Sequence, residues 1–389
     1  MTIKKIEAEE CETARFLWEE VFYEDSKVFT DYYFQYKAKL NTGYVMGEYP
    51  YRSMLFRTPY LLQIGEIRKE ISYLVGVATK KEFRHQGYMR RLLLHAFEEM
   101  YQEKMPFTFL MPANPAIYEP FDFRYIYERP QWDLRENKGE NFAELVAAEL
   151  EKNLGNELMA AEWEKNLGNE LMAAVQKKNS GDELTAAEIK RTIPDIHHKE
   201  LNGIFAVTQI KKQFPDMPIM DMLAEFANII LKQRYQVYAH RTAAYYEMQL
   251  KESLAQNGDI FICFEAGKIK SFYLYAKEEE NVFLQEVLEE QEGSLEFIEK
   301  KETKKPIIMA RIIHLEEMMK LVKSNEEKEI TIFIEDNLIL ENTGVYRWKI
   351  TPEGSRVERL KDGTMSEYQV HIRDLAPMIL KDVFINELV

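Results

Sequence analysis

"YLVGVATKKEFRHQGYMRRLLLHAFEEM", residues Tyr73 to Met100, decides how the chain is read. It begins as an apolar, β-branched run, Tyr73–Thr79, of the kind that forms a buried strand. It ends as a helix from about Gly87 to Lys104, with Leu92, Leu93, Ala96, Phe97 and Met100 along one face. Between the two, Arg84, His85, Arg90 and Arg91 crowd around Gly87, in a chain whose formal net charge is −15. A strand that turns into a helix through a glycine leaves unpaired backbone N–H groups at the helix N-terminus, which carries about half a positive charge. Glycine lets an anion approach the main chain, and arginines add charge-assisted contacts. The segment therefore suits a pyrophosphate. It contains no Gly-Lys-Ser/Thr, so it is not a Walker loop, and it lacks the further glycines of a Rossmann turn. The plainer alternative is an N-cap loop followed by solvated arginines.

The flanking sequence predicts mixed α and β structure. A strand is expected near Ile3–Ile6, helices over Cys11–Phe22 and Lys27–Lys39, and extended stretches over Gly43–Glu48, Tyr51–Gln63 and Ile67–Thr79. Phe107–Met111 reads as a buried strand that breaks at Pro112 and Pro115 and resumes after Phe121. Residues 136–190 are charged and helix-prone, and "EKNLGNELMAA" occurs twice, at Glu151–Ala161 and Glu164–Ala174. Two copies do not make a solenoid, and the pair reads as a local duplication in a surface insertion. Helices are then expected over Met220–Tyr235 and Thr242–Ala255, followed by strands that turn at Gly267. From about Lys305 the pattern changes again, to "IIMARIIHLEEMMKLV" and three further strands. Three domains are expected, over 1–135, 136–300 and 301–389.

Composition limits the function classes. Hydrophobic residues make up 46% of the chain and aromatics 12%, enough for packed cores. The acidic balance argues against nucleic-acid binding and suits a cationic substrate, although acidic solubility explains it as well. Two cysteines, Cys11 and Cys263, make neither a disulfide framework nor a zinc site, so no metal is expected. The N-terminal ten residues carry no apolar stretch of a signal peptide, and no window is long enough to span a membrane. The expectation is a cytoplasmic protein without membrane partners.

"VATKKEFRHQGYMRRLL" resembles motif A of the GNAT (Gcn5-related) N-acetyltransferases, whose R/Q-x-x-G-x-G/A loop holds the coenzyme A pyrophosphate. Arg84, Gly87 and Met89 occupy the three marked positions. Met89 departs from the small residue usual there, and is similar to the Eis-like (enhanced intracellular survival) branch. "IYEPFDF" resembles that branch's Ile-Tyr-x-x-Phe-Gly-Phe/Tyr signature, with Asp122 in place of glycine. The resemblance implies an α+β (mixed α/β) chain of tandem GNAT folds. The second fold would lack the cofactor loop, and a domain like sterol carrier protein would follow it. It further implies acetyl transfer from acetyl-CoA to a primary amine (aminoglycoside-, polyamine- or lysine-like) in a ternary complex, by a homo-oligomer of up to six subunits.

Residue roles follow from the same resemblance. Pantetheine would lie along Val77, Ala78 and Thr79, and the pyrophosphate on Arg84, His85, Gln86, Gly87, Tyr88, Met89 and Arg90. Asn114 matches a position that contacts the cofactor near the thioester. Tyr118 matches the general acid, since a phenol with pKa near 10 is protonated at pH 7 and can donate to a thiolate; core packing is its plain alternative. "YLVGVAT" contains no acid to act as base, and the resemblance gives that role to the terminal carboxylate, here on Val389. Trp18, Phe22, Tyr33 and Phe34 offer an aromatic pocket wall, unless they are core, Asp25 and Asp31 could meet a cation there, and Glu387 could add negative charge to an amine pocket. A non-catalytic protein that binds acyl-CoA or a lipid-like ligand is the rival reading.

Overall fold

The computed structural model describes residues 2–134, 201, 203–278, 281–295, 297–361 and 363–386. The duplicated segment around 151–174, His197, His198, Glu387 and Val389 lie outside the described residues. The described chain divides into two compact units. One draws on Met1–Pro130, Leu231–His240 and Thr303–Val389, the other on Gln131–Ile230 and Arg241–Glu302.

The first unit is built on a mixed sheet. Strands β1 (Ile3–Ile6), β2 (Thr42–Met46), β3 (Ser53–Ile64) and β4 (Ile67–Thr79) form an antiparallel meander. The β3–β4 hairpin turns at Gly65; β3 is buried over Ser53–Thr58, and β4 is buried over Ile71–Leu74 and then alternates buried and half-exposed residues to Thr79. Helix α1 (Arg15–Val21) and helix α2 (Lys27–Tyr32) precede β2, and α3 (Tyr88–Gln102) follows β4. The buried face of α3 consists of Tyr88, Leu92, Leu93, Ala96, Phe97 and Met100, as the apolar spacing requires. The helix expected over Cys11–Phe22 opens as a 3-10 stretch, Ala8–Ala14, and the one expected over Lys27–Lys39 passes into a π turn at Tyr33–Lys37. Both are local changes of helical winding, the first beginning three residues before the expected start at Cys11.

Strand β5 (Phe107–Leu110) is parallel to β4, and all four of its residues are buried. A fully buried strand needs ladder partners on both edges. The second edge is filled by β12 (Ile298–Ile312), antiparallel, with Met309–Ile312 opposite Leu110–Phe107. Beyond β12 lies β6 (Arg124–Leu134), so the order is β1-β2-β3-β4-β5-β12-β6. Two short strands extend the far end of β3: β8 (Val237–Ala239) pairs with Leu62–Ile64, and β17 (Val383–Phe384) pairs with β8. Where three consecutive domains were expected, this sheet thus takes strands from three later parts of the chain. A separate four-stranded sheet in the same unit combines β13 (Lys328–Glu335), β14 (Gly344–Ile350), β15 (Ser355–Arg359) and β16 (Tyr368–His371) in the order β15-β14-β13-β16.

The second unit holds an antiparallel sheet in the order β11-β10-β9-β7, formed by β7 (Gly203–Ala206), β9 (Asp259–Glu265), β10 (Lys268–Glu278) and β11 (Asn281–Glu289). The β9–β10 hairpin turns through Ala266 and Gly267, both at positive φ, as a two-residue primed turn requires. Helices Val207–Gln213 and Ala243–Ala255 pack on β9. No helix among the described residues is long and apolar enough to cross a membrane.

Candidate active site

The site begins where β4 parts from β5. Their ladder consists of one register pair, Tyr73 with Phe109, so the β4 edge beyond Tyr73 leaves β5 behind. On its other edge β4 stays paired to β3, through Met54–Ala78 and Ser53–Thr79, with a bulge opposite Leu55. Gly76 makes that bulge possible: its φ is +60°, and a Cβ there would stand 2.7 Å from the Trp18 ring. Along the open stretch Val75, Val77 and Thr79 are half-exposed while Gly76 and Ala78 are buried. The Ser53 hydroxyl donates to the Ala78 carbonyl and lies 2.8 Å from the Thr79 hydroxyl, which fixes the strand end.

The turn that follows is strained by design of its sequence. His85 and Gly87 both have positive φ, +60° and +81°, and a Cβ on Gly87 would meet nothing within 4 Å. Gly87 is the N-cap of α3, so the amides of Tyr88, Met89 and Arg90 lack intrahelical acceptors and open onto that space. Arg84, His85, Gln86, Gly87 and Arg90 are exposed, and Met89 is half-buried. Arg84 Nε donates to the Thr79 carbonyl, folding the loop back on the strand end, and Gln86 Nε2 donates to the Glu82 carbonyl. Arg84, Arg90 and Arg91 have no carboxylate partner among the described residues. In so acidic a chain, three arginines with no carboxylate partner among the described residues, set around an open helix N-terminus, suit an anion. Tyr88 differs from its loop neighbours: its side chain is buried and its hydroxyl accepts from Arg52 Nη1 at 3.0 Å, so only its amide faces outward.

The second component is the segment after β5. Helix α4 (Pro115–Tyr118) has proline at its first turn and Asn114 as N-cap, whose Oδ1 accepts from the Ala116 amide at 3.0 Å. Asn114 is exposed, and capping occupies its carbonyl oxygen only. Tyr118 is 7% exposed and lies edge-on to Phe123 with ring centroids 6.0 Å apart. Its hydroxyl has no hydrogen-bond partner among the described residues, and burial pushes its pKa up to about 12. A 3-10 turn, Glu119–Phe121, then ends at Asp122 with φ +64°, a left-handed conformation that aspartate tolerates better than most residues. Arg90 lies 5.8 Å from the centre of the Phe121 ring, so the arginine loop and the tyrosine segment are neighbours.

The aromatic residues of the N-terminal helices come together, chiefly as packing. Trp18, 3% exposed, stacks on Tyr33 at 4.2 Å and meets Phe34 edge-on, in a cluster with Phe56 and Ala78. Phe22 is half-buried against it. Trp18 Nε1 donates to Asp25 at 2.8 Å, and burial raises the Asp25 pKa against that bond. Trp18, Tyr33 and Phe34 therefore support β4 at its bulge from within the core, leaving Phe22 and Asp25 as the more accessible members. Among the described residues no group of three or more His, Cys, Asp or Glu side chains is placed to hold a metal ion.

Sequence reasoning missed Arg311. It lies on β12 opposite Thr108, is fully buried, and spans Phe121, Asp336 and the Phe97 ring. A lone cation inside the apolar run "IIMARII" was the available signal, because a buried charge must have partners.

Residues 2–126 match the acetyltransferase (GNAT) domain model, so this chain carries a GNAT acetyltransferase domain. Acetyl-CoA is the acetyl donor of such enzymes. Among solved structures, a probable N-acyltransferase from Enterococcus faecalis is similar at a TM-score of 0.67 and 13% identity, covering 97% of this chain and 89% of that one. A GCN5-related N-acetyltransferase from Anabaena variabilis is similar at 0.64 and 13%, over 97% and 90%. Eis1 from Mycobacterium abscessus is similar at 0.60 and 7%, over 98% and 90%. At these identities the likeness is one of fold, and it extends along nearly the whole chain. No curated protein matches it by sequence.

Proposed function

We propose that this protein is an Eis-like N-acetyltransferase that moves the acetyl group of acetyl-CoA to a primary amine by direct attack in a ternary complex. The observation that carries the reading is the open β4 edge running into the Arg84–Arg90 turn, whose helix N-terminal amides lack intrahelical acceptors. Pantetheine amides would pair with the main chain at Val77, Ala78 and Thr79, and the pyrophosphate with the amides and guanidiniums of residues 84–90. Asn114 Nδ2, free of the capping bond, would point toward the thioester end.

In the reaction the amine nitrogen attacks the thioester carbonyl, the carbon–sulfur bond breaks, and the proton lost by nitrogen ends on sulfur. Tyr118 serves the sulfur. A phenol near 12 gives its proton uphill to a thiolate of ordinary pKa, about 8.5. The hydroxyl therefore acts first as a hydrogen-bond donor to sulfur as charge develops, and exchanges its proton as the nitrogen is deprotonated. A primary amine such as a polyamine, aminoglycoside or lysine suits the acidic chain. The same reading carries a tandem second GNAT-like fold, supported by the β9–β10–β11 sheet with its flanking helices, and a lipid-carrier-like sheet at β13–β16. It also carries a homo-oligomer, which sedimentation velocity measures directly.

The test is release of free CoA from acetyl-CoA across a panel of primary amines, with acetyl-CoA affinity measured in parallel. Amine-dependent CoA release with an acetylated product is expected. Tight acetyl-CoA binding without release on any amine would leave the ligand-binding alternative in its place.

A further inference from the structure

We propose that Arg311 and Asp122 are positioning residues for Tyr118: the buried guanidinium and the carboxylate beside it hold the turn that aims the phenol. The proposal rests on the reading of Tyr118 as the group that serves the leaving sulfur, and adds what keeps it in place.

The segment needs external support. Four residues of α4 and a three-residue 3-10 turn are too short to be stable alone. Their terminal carbonyls are instead held by two arginines. Arg311 Nε donates to the Phe121 carbonyl at 3.0 Å, and Arg124 Nη1 donates to those of Glu119 and Phe123 at 3.3 and 2.7 Å. Arg311 has little freedom of its own. Its Nη2 donates to Asp336 Oδ1 at 2.8 Å, its Nη1 donates to the Ile312 carbonyl, and its guanidinium covers the Phe97 ring at 4.8 Å. Asp336 is fixed in turn by the amides of Leu338 and Ile339 and by Asn342 Nδ2, at 2.9–3.0 Å.

Asp122 completes the arrangement. Its Oδ2 is 4.0 Å from Arg311 Nη2 and its Oδ1 is 3.8 Å from His371 Nδ1. The charged and titratable groups facing it are Arg311, His371, Asp336 and Arg124. One buried cation thus stands between two buried carboxylates, one on the C-terminal sheet side and one on the tyrosine turn. Burial raises the Asp122 pKa while Arg311 and then His371 pull it back, so the carboxylate depends on those partners. With φ at +64°, the Asp122 backbone also sets the direction in which the turn leaves toward Phe123.

The experiment is a double-mutant cycle in the full-length protein. Asp122→Asn keeps shape and left-handed backbone while removing charge; Asp122→Gly keeps the backbone and removes the side chain. Each is made alone and with Tyr118→Phe, and kcat, KM, acetyl-CoA affinity and Tm are measured. Each Asp122 variant is expected to lower kcat about 10- to 100-fold, the range for a small misplacement of a reacting group, with acetyl-CoA affinity unchanged. In the Tyr118→Phe background the same change is expected to cost nothing further, because no phenol is left to aim. Arg311→Lys, which loses the fork, is expected to show the same split; if it unfolds, the Asp122 cycle decides alone. Wild-type kcat in the Asp122 variants, or an equal loss in both backgrounds, overturns the proposal. If Tyr118→Phe itself has full kcat, the tyrosine reading falls and this one with it. If Tyr118→Phe is slow while the Asp122 losses simply add, only the positioning role falls.

Discussion

Replacing Tyr118 by phenylalanine removes one hydroxyl from a side chain that is otherwise packed against Phe123. The hydroxyl has no partner among the described residues, so its removal breaks no hydrogen bond to them, and stability should change by no more than about 1 kcal/mol. Its effect on chemistry should be far larger. Loss of a positioned proton donor costs about 10²- to 10⁴-fold in rate, or about 3–5 kcal/mol of barrier at 1.36 kcal/mol per decade. The assay is CoA release with a thiol reagent under saturating acetyl-CoA and amine, with acetyl-CoA affinity by calorimetry and Tm by calorimetric scan. A fall in kcat with both other quantities held is the expected outcome. The pH dependence sharpens it. A proton donor works in its protonated form, so its contribution is lost as pH rises through its pKa. Burial has moved that pKa up to about 12, so the wild-type profile should rise as the amine deprotonates and show no alkaline fall up to about pH 10. A wild-type kcat in the phenylalanine variant, or an alkaline fall centred below pH 10 that disappears with the hydroxyl, refutes the reasoning.

Gly87→Val places a β-branched side chain at φ +81°, a backbone cost of about 1–2 kcal/mol, in the space over the α3 amides. Acetyl-CoA affinity by calorimetry should fall by more than the accompanying loss of stability, and full affinity would place the pyrophosphate elsewhere. In the second unit, Glu286→Ala removes the carboxylate that the buried Arg241 guanidinium meets at 2.8 Å, and breaking this buried pair should cost about 3–5 kcal/mol of stability in urea. Cys11 is 1% exposed and its thiol is pushed up to about 11 by burial and nearby glutamates, so iodoacetamide at pH 8 should label it only when urea unfolds the protein.

Much of the site could be read from the sequence because it is local. The strand, the glycine turn and the amphipathic helix lie within Tyr73–Met100, and strand and helix periodicities are strong signals over such lengths. The observed strand Ile67–Thr79 and helix Tyr88–Gln102 match the expected ones closely. Aromatic residues were harder to assign. Trp18, Tyr33 and Phe34 have the same spacing whether they line a pocket or fill a core, and only the bulge at Gly76 shows that they support β4 from beneath. Tyr88 likewise looks like a loop residue in the motif, yet its ring turns inward to Arg52.

What local pattern cannot encode is partnership across long sequence separation. Nothing near Phe107–Leu110 indicates that its second edge is filled by Met309–Ile312, because any apolar strand of matching length would satisfy the same ladder. The partner is specified by chemistry that only the fold brings together. A strand carrying arginine in its buried end can sit there only if carboxylates and carbonyls meet the guanidinium, and Asp336, Phe121 and Asp122 do so. Arg311 thus ties the choice of strand to the tyrosine turn. An apolar residue in its place would keep the ladder and lose the tie, so the charge in "IIMARII" is better explained by the turn it holds than by the sheet it sits in.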